Sequence, residues 1–265
     1  MVSKIEVAIS VDESENAKGE LLENLCKKVL SAMQYDVTQR VRLTGLEVDL
    51  LATHRITKET VFVECKAHNS SIQSDVINKL LGSVEIKDVS AGWLMITSEL
   101  GKEAKGLWHE WQNKETEKRR KLQIYEPETL LTLLIDNNHI IDPQKMNVTA
   151  GYSFSDNPLL LITTFGYFWI HRILNNDLGI TESVMAFNAQ TGKTIVEQNT
   201  VENLSKLISS ISDLMIITDY SGKKAPENEL AHEAQSIVKV PSGDAWDDYR
   251  PARPQDFVGR IKLIR

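Results

Sequence analysis

Residues 45–68, GLEVDLLATHRITKETVFVECKAH, decide the fold. Two segments rich in β-formers, Gly45 to Thr57 and Thr60 to His68, flank a short turn at Lys58-Glu59. Such a pattern predicts two antiparallel strands joined as a hairpin.

The second of these strands carries charged residues where a buried strand is expected. Its side chains alternate between two faces. One face holds Val61, Val63, Cys65 and Ala67 and is expected to be buried, and the other holds Phe62, Glu64, Lys66 and His68. A charged group in a sheet is costly to bury alone, so Glu64 and Lys66 need each other, a metal or solvent.

The hairpin brings Asp49 beside Glu64, because neighbouring strands lie about 5 Å apart. Two carboxylates at that separation repel each other unless a divalent cation lies between them, and oxygen ligands favour Mg²⁺ or Mn²⁺. We expect the cation to bind Asp49, Glu64 and the main-chain carbonyl of Cys65, where it would activate a water for attack on a phosphate. Lys66 would position that water and offset the developing negative charge.

The flanking sequence predicts a single α/β sheet around this hairpin. An amphipathic helix is predicted over 17–33, followed by an alternating strand over Tyr35 to Leu43. Further helices are predicted over 72–88, 101–118 and 126–138, with strands at Ala91 to Ser98 and Lys121 to Tyr125. The order αβββαβαβα describes one mixed sheet with helices on its faces.

These features together resemble the PD-(D/E)XK nucleases, and more narrowly the Mrr-type restriction endonucleases, over residues 17–136. Gly45 to Leu51 is similar to that family's glycine-then-aspartate strand, and Val63 to Lys66 to its strand with Glu-x-Lys. Gly19 to Glu23 looks like its opening helix with an acidic residue. Many Mrr-type members carry Gln where this chain has Glu64, and glutamate restores the commoner metal-binding form.

The resemblance implies metal-dependent cleavage of double-stranded DNA, with Asp49, Glu64 and Lys66 as the catalytic core. It also implies a catalytic role for Glu23, which supports the site or a second metal; the alternative is a polar residue bordering the apolar stripe of its helix. His68 shares the face of Lys66 and either contacts a DNA phosphate or is an ordinary histidine at a strand end.

Past about residue 145 the pattern changes to a small second α/β domain. It holds an aromatic cluster over 165–169, interpreted as core or an oligomer interface, and a hairpin turning at Gln190 to Lys193. A helix over 201–210 and a strand at Leu214 to Thr218 complete it. Four of the seven prolines then lie in 221–256, which is typical of a linker. The predicted domains are therefore a nuclease domain (1–140), a small domain for oligomerisation or linkage (145–220) and a linker (221–265).

The last residues add a second resemblance. Asp256 to Arg260, DFVGR, is similar to the segment that opens STAND-type and related AAA+ ATPase domains. No G-x-x-x-x-G-K-[ST] pattern occurs in the sequence, so we expect the ATPase and sensor domains to lie beyond Arg265. This implies the effector part of a bacterial antiviral defence protein that acts as a homo-oligomer, a dimer or tetramer. A stand-alone Mrr-type restriction enzyme and an inactive structural module remain alternatives.

Composition sets the remaining expectations. With 30 basic and 37 acidic residues the net charge is −7, which does not suggest a chain that coats nucleic acid. Any DNA contact is therefore expected to be local or shared between subunits. The basic run Lys118 to Lys121 either grips DNA or is a solvated helix end. Two cysteines and the lack of a signal pattern predict the cytoplasm. The longest uncharged run, Asn157 to Ile170, is too short to span a membrane.

Overall fold

The computed structural model describes residues 4–9, 16–68, 70–148, 151–154, 157–176, 180–207, 215–217, 237–239, 249–251 and 261–263. They belong to two compact units. The first comprises Met1–Asp142, Leu159–Phe168 and Ala189–Thr191, and the second Pro143–Pro158, Trp169–Asn188 and Gly192–Arg265. The domain boundaries at 140, 145 and 220 stay predictions.

The first unit is built on a five-stranded mixed sheet flanked by helices. Its elements in chain order are β1 (Lys4–Val7), α1 (Asn16–Ala32), β2 (Tyr35–Leu43), β3 (Leu46–His54), β4 (Thr60–Lys66), α2 (Ser74–Lys87), β5 (Ala91–Ile96), α3 (Lys102–Gln112), α4 (Thr116–Arg120), β6 (Leu122–Tyr125) and α5 (Pro127–Asp136). Strands β2, β3 and β4 are antiparallel neighbours, and β5 and β6 continue the sheet in parallel. The predicted mixed α/β sheet with helices on its faces is confirmed.

The predicted helix over 101–118 is two helices. Helix α3 ends at Gln112, and the side-chain amide of the next residue, Asn113, donates to the carbonyl of His109 at 3.0 Å. A side chain that hydrogen-bonds the last turn in this way competes with continuation of the helix. Helix α4 then starts afresh at Thr116.

Both faces of the sheet are covered, which corrects one expectation for β4. Phe62 was assigned to the open face, yet it is only 1% exposed and packs in a core cluster with Ile77 and Leu80 of α2. Gly92 of β5 makes this close packing feasible, because a Cβ there would lie 2.8 Å from Cγ of Leu80. The charged face of β4 is therefore restricted to its end, at Glu64 and Lys66.

The remaining elements are η1 (Pro143–Lys145), β7 (Tyr152–Phe154), β8 (Leu159–Thr163), β9 (Gly166–Asn175), β10 (Ile180–Asn188), α6 (Gln198–Leu207), β11 (Met215–Ile217), β12 (Ile237–Lys239), β13 (Tyr249–Pro251) and β14 (Ile261–Leu263). In the first unit β1 pairs in parallel with β8. In the second, β10 pairs in parallel with β11, and β11 pairs antiparallel with β14. These elements confirm an α/β region after the nuclease-like sheet.

Two predictions for this later region can be compared with the described residues. The turn at Gln190 to Lys193 is present, with the amide of Asn188 donating to the carbonyl of Lys193 at 2.8 Å. Phe168 and Trp169 are buried, so that part of the aromatic cluster is core. Most of the proline-rich segment and the whole of Asp256 to Arg260 lie outside the described residues. Among the described helices, none has the length and apolar character needed to cross a membrane.

Candidate active site

The β3–β4 hairpin brings the three predicted core residues together. Leu50 pairs with Val63 across the two strands, so Asp49 and Glu64 are the next residues on adjacent strands. Oδ2 of Asp49 accepts a hydrogen bond from the backbone amide of Cys65 at 2.8 Å. Asp49 is thereby fixed against the strand that carries Glu64 and Lys66.

Asp49 lies in an environment that disfavours its charge. Burial raises the pKa of its carboxyl, and the negative charge of Glu64 raises it further. The Cys65 amide and the more distant charges of Lys66 and Lys79 act in the opposite direction without cancelling the shift. A group of positive charge placed here would relieve the repulsion between the two carboxylates.

Lys66 and Glu64 form a partly buried ion pair at the end of β4. Nζ of Lys66 lies 2.6 Å from Oε1 of Glu64, and the two side chains are 26% and 19% exposed. Burial alone would lower the pKa of Lys66, but the hydrogen bond and charge of Glu64 outweigh it and the pKa is raised. The ammonium therefore stays protonated and can act as a hydrogen-bond donor and a positive charge.

Glu23 of α1 is a third carboxyl beside this pair. It is 8% exposed, and its Oε2 makes no hydrogen bond among the described residues. Burial raises its pKa, the charge of Asp49 adds to the shift, and the nearby guanidinium of Arg40 opposes it. The structure thus places the Glu23 carboxyl where the charge of Asp49 acts on it, and its catalytic role stays a prediction.

Two clefts open at this end of the sheet, and Glu47 and Lys66 line both of them. The larger has a volume of about 780 Å³ and is lined by Glu23, Asp49, Lys66 and His68. The smaller, of about 160 Å³, is lined by Glu64, Lys66 and Lys79. His68 is therefore on the cleft surface, and its contact with a DNA phosphate stays a prediction.

The donor set fits a hard divalent cation. Among the described residues no group of three or more His, Cys, Asp and Glu side chains is arranged to hold a metal. The predicted set has only two carboxylates, Asp49 and Glu64, with the Cys65 carbonyl as third ligand. The raised pKa of Asp49 beside Glu64 is the observation that fits a cation here, because two crowded oxygen anions favour one.

Cys65 and the basic run from Lys118 have ordinary structural environments. The Cys65 thiol is buried, and a hydrogen bond with Cys26 together with burial raises its pKa well above the usual value, which argues against a reactive thiol. The basic run from Lys118 is exposed, and Lys121 pairs with Glu85 at 2.9 Å. That is the surface pattern of a solvated helix end.

The sequence analysis missed two cations of the site, Arg40 and Lys79. Arg40 of β2 lines the larger cleft and pairs with Glu20 and Glu23 of α1. Lys79 of α2 lines the smaller cleft. Both residues are exposed, and from the sequence alone they are expected to be ordinary solvated charges. They line the clefts because α1 and α2 pack against the sheet.

Comparison with known proteins agrees with this geometry. Residues 14–133 match the family model described as Restriction endonuclease, the Mrr catalytic domain. Over this segment the chain is therefore similar to the catalytic domains of restriction endonucleases, a family of nucleases that act on DNA.

Solved structures give distant similarities. One is titled Crystal Structure of Protein of Unknown Function AF1548, with 14% identity over 49% of this chain and 72% of that one, and a TM-score of 0.37. Another is the DNA modification-dependent restriction endonuclease AspBHI, with 16% identity over 46% of this chain and 35% of that one, and a TM-score of 0.31. No curated protein matches this chain.

Proposed function

We propose that this chain is a metal-dependent DNA endonuclease that hydrolyses phosphodiester bonds at the end of β4, with Mg²⁺ or Mn²⁺ as cofactor. The observation that carries the proposal is the partly buried Asp49, whose pKa is raised by desolvation and by Glu64, beside the Glu64–Lys66 ion pair. Ionisable groups whose pKa values are shifted by burial and a specific neighbour cluster at functional sites. The family of residues 14–133 supports DNA as substrate.

Each residue has a defined part in this proposal. Asp49, Glu64 and the Cys65 carbonyl would hold the metal, which when bound supplies Lewis acidity and an activated water. Lys66, kept protonated by Glu64, donates a hydrogen bond to the attacking water or to a phosphate oxygen and offsets negative charge as it develops.

Glu23 and His68 extend the site into the larger cleft. The charge of Asp49 raises the pKa of Glu23, so the two carboxyl groups are close. Glu23 would hydrogen-bond a water or bind a second metal there. His68 lines the cleft beside Lys66 and would contact a backbone phosphate.

The test is plasmid cleavage by the purified chain and its variants. Supercoiled double-stranded DNA should be nicked and linearised with Mg²⁺ or Mn²⁺ and spared with EDTA. Glu64→Ala should abolish cleavage, whereas Glu59→Ala, which removes an exposed carboxylate just before the start of β4, should retain it. Continued cutting by the Glu64 variant would reject the proposed site.

We further propose that the nuclease is the effector of a bacterial antiviral STAND NTPase and becomes active on oligomerisation. Support comes from the similarity of Asp256 to Arg260 to the opening of STAND-type ATPase domains and from the net charge of −7, which favours weak DNA binding by one copy. Under this proposal residues 1–140 form the nuclease domain, 145–220 the assembly domain and 221–265 the linker.

Two observations test the effector proposal. The reading frame continued past Arg265 should encode G-x-x-x-x-G-K-[ST]. Cleavage should also rise more steeply than linearly with protein concentration, because active copies assemble. A frame that stops at Arg265 together with linear concentration dependence would instead favour a stand-alone restriction enzyme.

A further inference from the structure

Arg40 has a backbone conformation that its residue type rarely adopts. It lies in β2 with φ 52°, in the left-handed region. On either side β2 pairs regularly with β3, Gln39 with Leu50 and Val41 with Val48, but Arg40 and Asp49 do not pair. Such strain persists only where the surrounding structure imposes it, and it is concentrated at functional sites. The irregularity occurs directly across the sheet from a predicted catalytic residue.

The guanidinium of Arg40 is held over the larger cleft by two carboxylates. It pairs with Glu20 of α1, and its Nε lies 3.6 Å from Oε2 of Glu23. The Arg40 side chain is still 53% exposed. Lys18, Arg42, Glu47, Asp49, Lys66 and His68 line the same cleft. Arg40 therefore presents a cation to the space beside Asp49 and Lys66 without being buried itself.

We infer that Arg40 binds a phosphate of the DNA backbone in this cleft, and that Glu20 and Glu23 hold its guanidinium in place while DNA is absent. The inference rests on the proposed function, because it takes DNA as the ligand. A guanidinium presents paired N–H donors that match the oxygens of a phosphate as well as those of a carboxylate. DNA would take over the donors that Glu20 occupies in the free protein.

Two roles for Arg40, binding phosphate or only linking β2 to α1 through its ion pair with Glu20, predict different results. If the Arg40–Glu20 pair only joins the two elements, removing either partner has the same effect. If Arg40 binds phosphate, Glu20 competes with DNA. Loss of Arg40 then weakens DNA binding, whereas loss of the Glu20 charge strengthens it.

The molecule offers a matched control pair. Arg55 is also 53% exposed and pairs with Asp36, with Nε 2.8 Å from Oδ1, but neither residue lines either cleft. Arg55→Ala removes the same charge as Arg40→Ala. Asp36→Asn frees a guanidinium just as Glu20→Gln does, so it controls for the change in net charge.

The experiment measures affinity for a fluorescein-labelled DNA duplex by anisotropy with the full chain in EDTA, where cleavage does not interfere. Arg40→Ala should weaken binding about tenfold, the loss expected for a charged hydrogen bond. It should also reduce the slope of log affinity against log salt by about one. Glu20→Gln should tighten binding, and both control variants should match the wild type. Arg40→Gly gives a second test of the same loss, because glycine accepts the left-handed backbone without strain.

The outcomes separate this inference from the proposed function. The Arg40 inference is overturned if the wild type does not bind the duplex. It is also overturned if Arg40→Ala and Arg40→Gly bind like the wild type, or if Glu20→Gln weakens binding as much as Arg40→Ala. DNA binding that depends on Arg40, without any metal-dependent cleavage, would uphold it and reject the nuclease instead.

Discussion

The end of β4 and the surroundings of His171 both bury ionisable groups, but in opposite ways. Around Asp49, carboxylates and the Lys66 ammonium converge, and the pKa values of Asp49 and Lys66 are raised. The ring of His171 is 2% exposed and lies against Phe154 and Phe187, with centroids 4.0 Å and 5.5 Å away. Neither of its nitrogens has a hydrogen-bond partner among the described residues. Burial alone therefore does not mark a site; the convergence of other charged groups does.

After Glu64→Ala, which should abolish cleavage, the largest effect is expected from Lys66→Ala. Removing the ammonium leaves Glu64 and the developing phosphate charge uncompensated, so the cleavage rate should fall by about 10²- to 10³-fold. Lys121→Ala is the matched control, because Lys121 also pairs with a glutamate, Glu85 at 2.9 Å, away from both clefts. Initial rates of plasmid nicking measure both. A Lys66 variant that cuts as fast as the Lys121 variant would contradict the role given to Lys66.

His171 should affect stability through pH and leave catalysis alone. Burial lowers its pKa from 6.5 to about 4. As pH falls below 6.5 the unfolded state takes up a proton on His171 before the folded state does. The free energy of unfolding is therefore unaffected by His171 above pH 6.5, and it decreases as pH falls toward about 4. The full decrease in the free energy of unfolding is about 3 kcal/mol, at about 1.4 kcal/mol for each unit by which the folded and unfolded pKa values differ.

His171→Phe should remove that part of the pH dependence. Urea midpoints at pH 7 and pH 5 measure it, with the exposed His109→Phe as control. Equal pH dependence in the His171 variant and the wild type would show that the His171 ring is protonated or hydrogen-bonded in the folded protein.

A smaller effect on stability is expected from Asp49→Asn, and its pH dependence is opposite to that of His171. Because the folded pKa of Asp49 is raised above 3.8, the ionised carboxylate destabilises the fold as pH rises through the raised value. Asparagine is neutral and still accepts the hydrogen bond from the Cys65 amide. The variant should melt a few degrees higher at pH 7, and the difference should shrink as pH falls toward 3.8.

Thermal melts of Asp36→Asn provide the comparison, since Asp36 is 70% exposed and pairs with Arg55. That variant should melt close to the wild type. A lower melting temperature for Asp49→Asn than for the wild type would contradict the electrostatic strain inferred at Asp49.

Local pattern predicted the central part of the fold well. Strand β2 has the predicted bounds, Tyr35–Leu43, because alternation and a following tight turn depend on neighbouring residues alone. Strand β1 was missed, since four residues form a strand only through parallel pairing with β8, far along the chain. The burial of Phe62 was missed for a similar reason, because α2 covers the face that its strand pattern left open.

The candidate site was predictable in part. Asp49, Glu64 and Lys66 followed from the hairpin register and an unusual pair of charges in an apolar strand. Arg40 did not, because regular alternation through β2 gives no indication of a left-handed residue at its centre. Glu23 came from the family resemblance, and the helix packing that carries it to Asp49 is a tertiary feature.

Metal binding by wild type and Asp49→Asn is the most direct test of the site. Isothermal titration of Mg²⁺ or Mn²⁺ into EDTA-treated protein should give a saturable heat with the wild type. The heat should disappear in Asp49→Asn, which keeps the fold and removes one charge, and it should persist in Asp36→Asn. The same heat in both variants, or none in the wild type, would contradict a metal held by Asp49 and Glu64.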